Sequence, residues 1–283
     1  MHKVGIIGNG FVGSTVASGF ALHANVHVYD IDPLRSVNTI EEVSNCDFIF
    51  VTVPTPMNVG DHNKIDLSIV ESAFRQINDN RTNKTTPIVI LKSTAIPGTT
   101  ATLAAKYPQM EIVFNPEFLT ERTARFDFIN ASRIVLGGSP AATECAAQLY
   151  RTRFPHTSIV CTSPESAEFI KYMCNCFFAM KISFMNEMKQ AAEVMNLEWE
   201  DVLCGFLLDG RIGNSHVDVP GHDGVNGFGG KCFPKDLNAF INFFKSIEVS
   251  PVMLTATWAK NLEVRGAADW KKIAGATSTI KGE

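Results

Sequence analysis

Cys232 stands in the stretch "GFGGKCFPKD", residues 227–236, with lysines at 231 and 235 and an aspartate at 236. The thiolate is the reactive form of cysteine, and neighbouring ammonium groups together with a helix N-terminus favour it over the thiol. Glycines at 227, 229 and 230 leave room for a reacting carbon to approach where side chains would block it. Asp236, one helical turn beyond the thiol, is placed to orient a water or accept a proton. The plainer reading is a glycine-rich turn around a buried cysteine. The charges packed about Cys232 argue against it, and the stretch reads as a nucleophile beside a group that manages a water or a proton.

A second group of polar residues lies in "EFIKYMCNCFF", where Lys171 and Asn175 are four residues apart and share one helical face. An ammonium and an amide among phenylalanines and methionines need partners or solvent, because burying either unpaired is costly. A lysine snorkelling from an amphipathic helix explains the pattern equally well. Cys174 and Cys176 on the same helix read as core thiols. "NPEFLTE" places Glu117 and Glu121 four residues apart just after a strand. They are either surface carboxylates on a short turn or groups that position water or act as a base beside a cofactor cleft.

The elements that must hold these residues alternate. The runs "KVGIIG", "VHVYD", "DFIFVTV", "PIVILKS", "EIVF", "RIVLGG" and "TSIVC" are β-branched and apolar, with helix-compatible sequence between them. That alternation implies βαβ units and a largely parallel sheet, so the chain is of the α/β class. "VGIIGNGFVG" supplies Gly8, Gly10 and Gly13 in GxGxxG order around Phe11 and Val12, directly after the first strand and before a helix. In that context the turn, the close backbone approach and the helix N-terminus form a dinucleotide pyrophosphate site. The second strand ends in Asp30, whose carboxylate suits the ribose hydroxyls and repels a 2′-phosphate. NAD is therefore favoured over NADP, although Arg35 nearby would suit the phosphate. Thr52, Thr55, Ser93 and Thr94 follow two further strands, at the carboxyl edge where open α/β sheets bind ligands.

From Ser163 to about Leu197 the texture becomes that of one long helix, with Thr162 or Ser163 as N-cap, Pro164 in the first turn and Glu165 in the capping-box position. Such a helix commonly begins an all-helical domain. A helix over "WEDVLCGFLLD", a long glycine-rich loop, a helix over "PKDLNAFINFFKSI" and a last helix from about Thr255 to Arg265 complete it. The net charge of -4 and scattered lysines exclude a nucleic-acid partner, and no apolar run is long enough to span a membrane. Seven cysteines without CxxC or zinc spacing point to free thiols and no metal, hence a reducing, cytoplasmic location.

Taken in order, "GNGFVG", "VPTP", "KST", "NPEFLTE", "SAEFIKYMCN", "RIG" and above all "GFGGKCFPKD" resemble the UDP-glucose 6-dehydrogenase family, within the nucleotide-sugar dehydrogenases. The resemblance implies a Rossmann-type NAD-binding domain over 1–162. It also implies an all-helical central domain over 163–283, carrying the catalytic loop and a dimer interface. It further implies an NAD-dependent four-electron oxidation of a sugar's primary alcohol to a carboxylate, most simply UDP-glucose to UDP-glucuronate, through a thiohemiacetal and a thioester on Cys232. Lys171 and Asn175 would stabilise oxyanions, and Asp236, Thr94 and Glu117 are the candidates for proton transfer. By the same resemblance, Glu117, Phe118, Leu119, Lys171, Asn175, Phe228 and Gly229 would contact the nucleotide sugar. Arg211 would reach the substrate of a neighbouring subunit in a homodimer or larger homo-oligomer, while Gly8, Gly10, Phe11, Val12, Gly13, Asp30, Arg35, Thr55 and Thr94 would contact NAD and Glu121 would contact the cofactor or the substrate loop. The family usually continues into a second α/β domain that holds much of the uridine diphosphate, and this chain reads as a short form without it. Two rival readings stand beside this one: a two-electron β-hydroxyacid dehydrogenase, and a non-catalytic NAD-binding subunit of a larger assembly.

Overall fold

The computed structural model describes residues 1–58, 64–120, 122–266, 269–273 and 275–278. They form two compact units, one of Met1–Thr55 and Asp66–Lys171, the other of Pro56–Ile65 and Tyr172–Glu283. In chain order the elements are β1 (Lys3–Ile7), α1 (Phe11–Phe20), β2 (Asn25–Tyr29), α2 (Ile40–Ser44), β3 (Phe48–Val51), β4 (Met57–Asn58), β5 (Lys64–Ile65) and α3 (Ser68–Asn80). They continue with β6 (Ile88–Leu91), α4 (Thr99–Lys106), β7 (Glu111–Phe114), α5 (Ala124–Ile129), β8 (Arg133–Gly137), α6 (Pro140–Arg153) and β9 (Ser158–Thr162). The last are α7 (Pro164–Val194), α8 (Trp199–Leu207), α9 (Phe233–Ser246), α10 (Val252–Arg265) and β10 (Thr277–Ser278).

The first unit is a seven-stranded sheet in the order β2-β1-β3-β6-β7-β8-β9, with every neighbouring pair parallel except β7 and β8. Its strands are near-continuous apolar runs because helices cover both faces. Alternate residues face opposite ways. Phe48, Phe50, Ile90, Val113 and Leu136 join Phe20, Phe128 and Tyr150 of α1, α5 and α6 in one core cluster. Ile49, Val51, Val89, Leu91, Ile112 and Phe114 join Val43, Phe74 and Leu103 of α2, α3 and α4 in the other. The chain leaves β1 for β2 on one side and returns to β3 on the other, which puts a switch point beside the carboxyl ends of β1 and β3.

The second unit is helical, and it also carries a three-stranded sheet, β10-β4-β5, whose two-residue strands are too short to show a sequence period. α10 begins at Val252, three residues before the expected Thr255, because Pro251 fits the helix N-terminus. α7 runs for 31 residues. Ser163 Oγ accepts from the Ser166 amide at 3.2 Å and lies 3.0 Å from the Ser166 hydroxyl, so Ser166 takes the place expected of Glu165. By packing, the division between the units falls inside α7, at Lys171 and Tyr172. Ala167 and Ile170 in its first two turns belong to the packing of the sheet. Among the described residues no helix is long and apolar enough to cross a membrane.

Candidate functional site

In the first unit the glycine turn is locked from beneath and open above. Gly8 has φ +94°, and the Thr52 hydroxyl donates to Gly8 O at 2.6 Å and Ile7 O at 3.1 Å. A Cβ at Gly13 would lie 1.9 Å from Gly8 O, so only glycine lets α1 start this close to the strand. Nothing lies within 4 Å of a Cβ built at Gly10, and no side chain caps α1 there. The first-turn amides of Phe11, Val12 and Gly13 are thus presented at the positive end of the helix, where an anion binds. Asp30 accepts from the Asn9 amide at 2.5 Å through Oδ2 and from the Asp32 amide at 2.9 Å through Oδ1. A carboxylate has about four lone-pair sites, so acceptor capacity remains for ribose hydroxyls. Arg35 is exposed and lies 3.3 Å from Asp32, with its carbonyl taking the Asn9 side-chain amide at 2.7 Å. These residues fit a dinucleotide carrying a free 2′-hydroxyl. Thr55 and Ser93 are buried and Thr94 is half-buried.

After β7 the chain brings Glu117 to the beginning of α7. Lys171 Nζ donates to Glu117 Oε1 at 2.7 Å and to Glu117 O at 2.6 Å, and both side chains are under one-tenth exposed. Glu117 Oε2 accepts from the Leu119 amide at 2.8 Å. Burial alone would raise the Glu117 carboxyl, but the Lys171 ammonium and the Leu119 amide outweigh it and hold the group below its ordinary range. Lys171 therefore does not snorkel; it has a buried counterion. The Arg133 guanidinium sits 4.3 Å from the Phe118 ring centroid, and Lys171 Nζ lies 5.7 Å from the same ring. Glu121 lies outside the described residues.

Sequence reasoning missed two further buried charges of this unit. Lys92, buried at the end of β6, donates to Asn115 Oδ1 at 2.8 Å. Glu168, one turn before Lys171, accepts from the Gly98 amide at 2.7 Å, the Thr100 amide at 2.8 Å and the Thr100 hydroxyl at 2.6 Å, which caps α4. A charge interrupting an apolar strand in "IVILKS" was the available signal for Lys92.

In the second unit Cys232 is half-buried at the N-cap of α9, with Pro234 in the first turn, and the Asp236 amide donates to Cys232 O at 2.8 Å. It therefore occupies the end of a 14-residue helix at which negative charge is favoured. Asp236 is 1% exposed. Its Oδ2 accepts from Asn175 Nδ2 at 2.6 Å and its Oδ1 from Lys235 Nζ at 2.5 Å. Tyr172 stacks on Phe240 with centroids 5.0 Å apart, which fixes α7 against α9. Cys176, on the same helix as Asn175, is buried: burial first, and then the Asp236 charge, push its thiol far up.

Gly227 and Phe228, in the loop before Cys232, are held by two asparagines. Asn261 of α10 accepts from the Phe228 amide at 2.7 Å and donates to Phe228 O at 3.0 Å, while Asn186 of α7 accepts from the Gly227 amide at 3.1 Å. Gly227 has φ +72°, and a Cβ there would meet Asn261 Oδ1 at 2.4 Å. The Phe228 ring is buried against Phe233 and Trp258, with Gly229 half-buried beside it. Arg211 is exposed and forks onto Asp209 at 2.9 and 2.5 Å. Each unit thus holds a buried carboxylate paired with a lysine, and the second sets its carboxylate one helical turn from a cysteine.

Residues 33–154 match the NAD binding domain of the UDP-glucose/GDP-mannose dehydrogenase family, and residues 165–263 match its central domain. The UDP-glucose 6-dehydrogenase AglM of Haloferax volcanii is 30% identical over 299 residues, covering 90% of this chain and 68% of that protein. The UDP-glucose 6-dehydrogenase of Rhizobium meliloti is 36% identical over 250 residues, covering 85% of this chain and 55% of that protein. Among solved structures, a UDP-glucose dehydrogenase from Pyrobaculum islandicum superposes with a TM-score of 0.81 at 30% identity, covering 93% of this chain and 68% of that one. The chain spans about half to two thirds of the length of these relatives. On these two domain matches, in sequence order and over most of its length, the chain belongs to the UDP-glucose/GDP-mannose dehydrogenase family.

Proposed function

We propose that this chain oxidises the primary alcohol of a nucleotide sugar to a carboxylate, UDP-glucose to UDP-glucuronate, in two successive steps through a covalent intermediate on Cys232. The observation that carries the reading is Cys232 at the N-cap of α9 with the buried, doubly paired Asp236 one turn on. NAD, held by the amides of Phe11 to Gly13 and by Asp30, supplies the hydride acceptor for both oxidations.

The first oxidation turns the alcohol into an aldehyde, which by itself has no route to an acyl product. Addition of the Cys232 sulfur to the aldehyde carbon forms a C–S bond and a tetrahedral adduct that still carries one C–H. Loss of that hydrogen as hydride, with the hydroxyl proton, leaves a thioester. Water then adds to the acyl carbon, the C–S bond breaks, and the carboxylate and the free thiol result. Lys171 and Asn175, four residues apart on one helix, suit the oxyanions formed in these steps. Asp236 suits the activation of water or the carriage of a proton. Glu117, ionised beside Lys171, and a water at Thr94 are the other candidates for that work. In this reading Phe118, Leu119, Phe228 and Gly229 contact the sugar nucleotide, and Arg211 serves the substrate of a partner copy in a homodimer or larger homo-oligomer.

The names of the Haloferax and Rhizobium relatives support UDP-glucose as the substrate. The test is incubation of the full chain and NAD with UDP-glucose, UDP-N-acetyl sugars and GDP-mannose, with product mass determined. UDP-glucuronate from UDP-glucose supports the proposal. NAD binding with no turnover of any of the three would point instead to a non-catalytic subunit.

A further inference from the structure

Lys92 is a buried charge that the proposed reaction leaves without a task. It follows the apolar run of β6 and is 5% exposed. Its Nζ lies 2.8 Å from Asn115 Oδ1 and 3.5 Å from Asn115 O. The same Oδ1 accepts from the Tyr150 hydroxyl at 2.5 Å, and Asn115 Nδ2 donates to Val135 O at 2.8 Å. One amide at the end of β7, two residues before Glu117, thus ties together the end of β6, α6 and β8. An ammonium set against neutral acceptors in a sheet is costly, and an apolar side chain of similar length would fill the space without that cost.

We propose that Lys92 is a positioning residue for the Glu117–Lys171 pair: through Asn115 it fixes the turn from which Glu117 meets Lys171, and it supplies a second positive charge that favours the ionised Glu117. The proposal rests on the reading of Glu117 and Lys171 as working groups. Three titratable groups face Lys92. The Glu117 carboxylate, after β7, favours its charged form, and the Lys171 ammonium, on α7, opposes it. The Tyr150 phenol, on α6, meets it through Asn115; burial pushes that phenol up, so it stays a neutral donor. Burial outweighs both charges and pushes the Lys92 ammonium down to about 7. Lys92 is therefore charged below neutrality and neutral above it, and the Glu117–Lys171 pair gains or loses its second cation in that range.

The test is lysine side-chain nuclear magnetic resonance on the full chain from pH 6 to 9, with Lys92 and Lys171 assigned by Lys92→Met and Lys171→Met. In the wild type the Lys92 resonance should titrate near pH 7, and the Lys171 resonance should show an inflection at the same pH. Lys92→Met and Lys92→Arg should both remove that inflection, the first by deleting the charge and the second by making it permanent. With UDP-glucose, Lys92→Met should lower kcat on the order of tenfold to a hundredfold with NAD affinity unchanged, while Lys92→Arg restores most of the rate. Ordinary lysine titration of Lys92, or a Lys171 resonance indifferent to it, overturns the proposal, and the wild-type titration decides this even where Lys92→Met does not fold. Because the resonances are read without turnover, the coupling is tested even in a chain that oxidises no sugar nucleotide, where only the proposed function fails.

Discussion

Asn175 on α7 donates its side-chain amide to Asp236 on α9 across 2.6 Å. With Lys235 at 2.5 Å on the other oxygen, the carboxylate is held from both sides one helical turn beyond Cys232. The long helix thereby sets the orientation of the carboxylate one helical turn beyond Cys232.

Asp236→Asn keeps the shape but turns an acceptor into a donor facing Asn175 or Lys235. Loss of a buried, charge-assisted acceptor should destabilise the fold by about 1–3 kcal/mol. Turnover should fall by about 10²–10⁴ if the group carries a proton or a water, with NAD affinity unchanged. Urea denaturation, NAD titration and turnover on one preparation separate these effects, and wild-type turnover would remove Asp236 from the chemistry.

Glu117→Gln leaves the Lys171 ammonium buried without its counterion, which should cost about 3–5 kcal/mol. Replacing both, as Glu117→Leu with Lys171→Met, should cost much less than the two single changes summed. Chemical denaturation of the singles and the double is the measurement; simple additivity would mean that the 2.7 Å contact carries no coupling.

Much of the fold was legible because its causes are local. Seven apolar β-branched runs became the seven strands of the large sheet, and the GxGxxG turn lies between β1 and α1. The strands at Met57–Asn58, Lys64–Ile65 and Thr277–Ser278 had no period to read because each is two residues long. The division of α7 at Lys171 was hidden because the helix itself is continuous and only its packing changes. In the site, Cys232 and its charged neighbours stand together in the sequence. Lys92 with Asn115, and Asn261 with Phe228, do not: they meet across 23 and 33 residues, and a polar residue type does not reveal its distant partner.

Gly10 and Gly13 should respond in opposite ways to alanine. At Gly10 a Cβ has open space and φ is -77°, so Gly10→Ala should fold normally and lose NAD affinity by occupying the approach of the pyrophosphate. At Gly13 the methyl would lie 1.9 Å from Gly8 O, so Gly13→Ala should destabilise the unit itself, by about 1–3 kcal/mol for overpacking or more. Thermal melts and NAD titrations of both variants check this; an unperturbed melt for Gly13→Ala would contradict the close approach.

Glu168 should give stability a pH dependence. Burial pushes its carboxyl up from 4.5 to about 7 against three donated hydrogen bonds. Between those values the folded chain holds a proton that the unfolded chain has released, so stability falls as pH rises from about 4.5 to 7 and levels off above. The whole step is on the order of 3 kcal/mol. Denaturation midpoints across that range, compared with Glu168→Gln, should show the slope in the wild type and lose it in the variant.

Cys232→Ser should abolish net oxidation to the carboxylate while NAD affinity stays close to wild type. Serine is a far weaker nucleophile toward the aldehyde at neutral pH. Carboxylate formed at the wild-type rate by this variant would refute the covalent route.

The most direct measurement of the central claim is the number of NADH molecules formed per UDP-glucose consumed by the wild-type chain. A thiol that holds the aldehyde for a second oxidation predicts a ratio near two with the carboxylate as product. A ratio near one with a working substrate would contradict it.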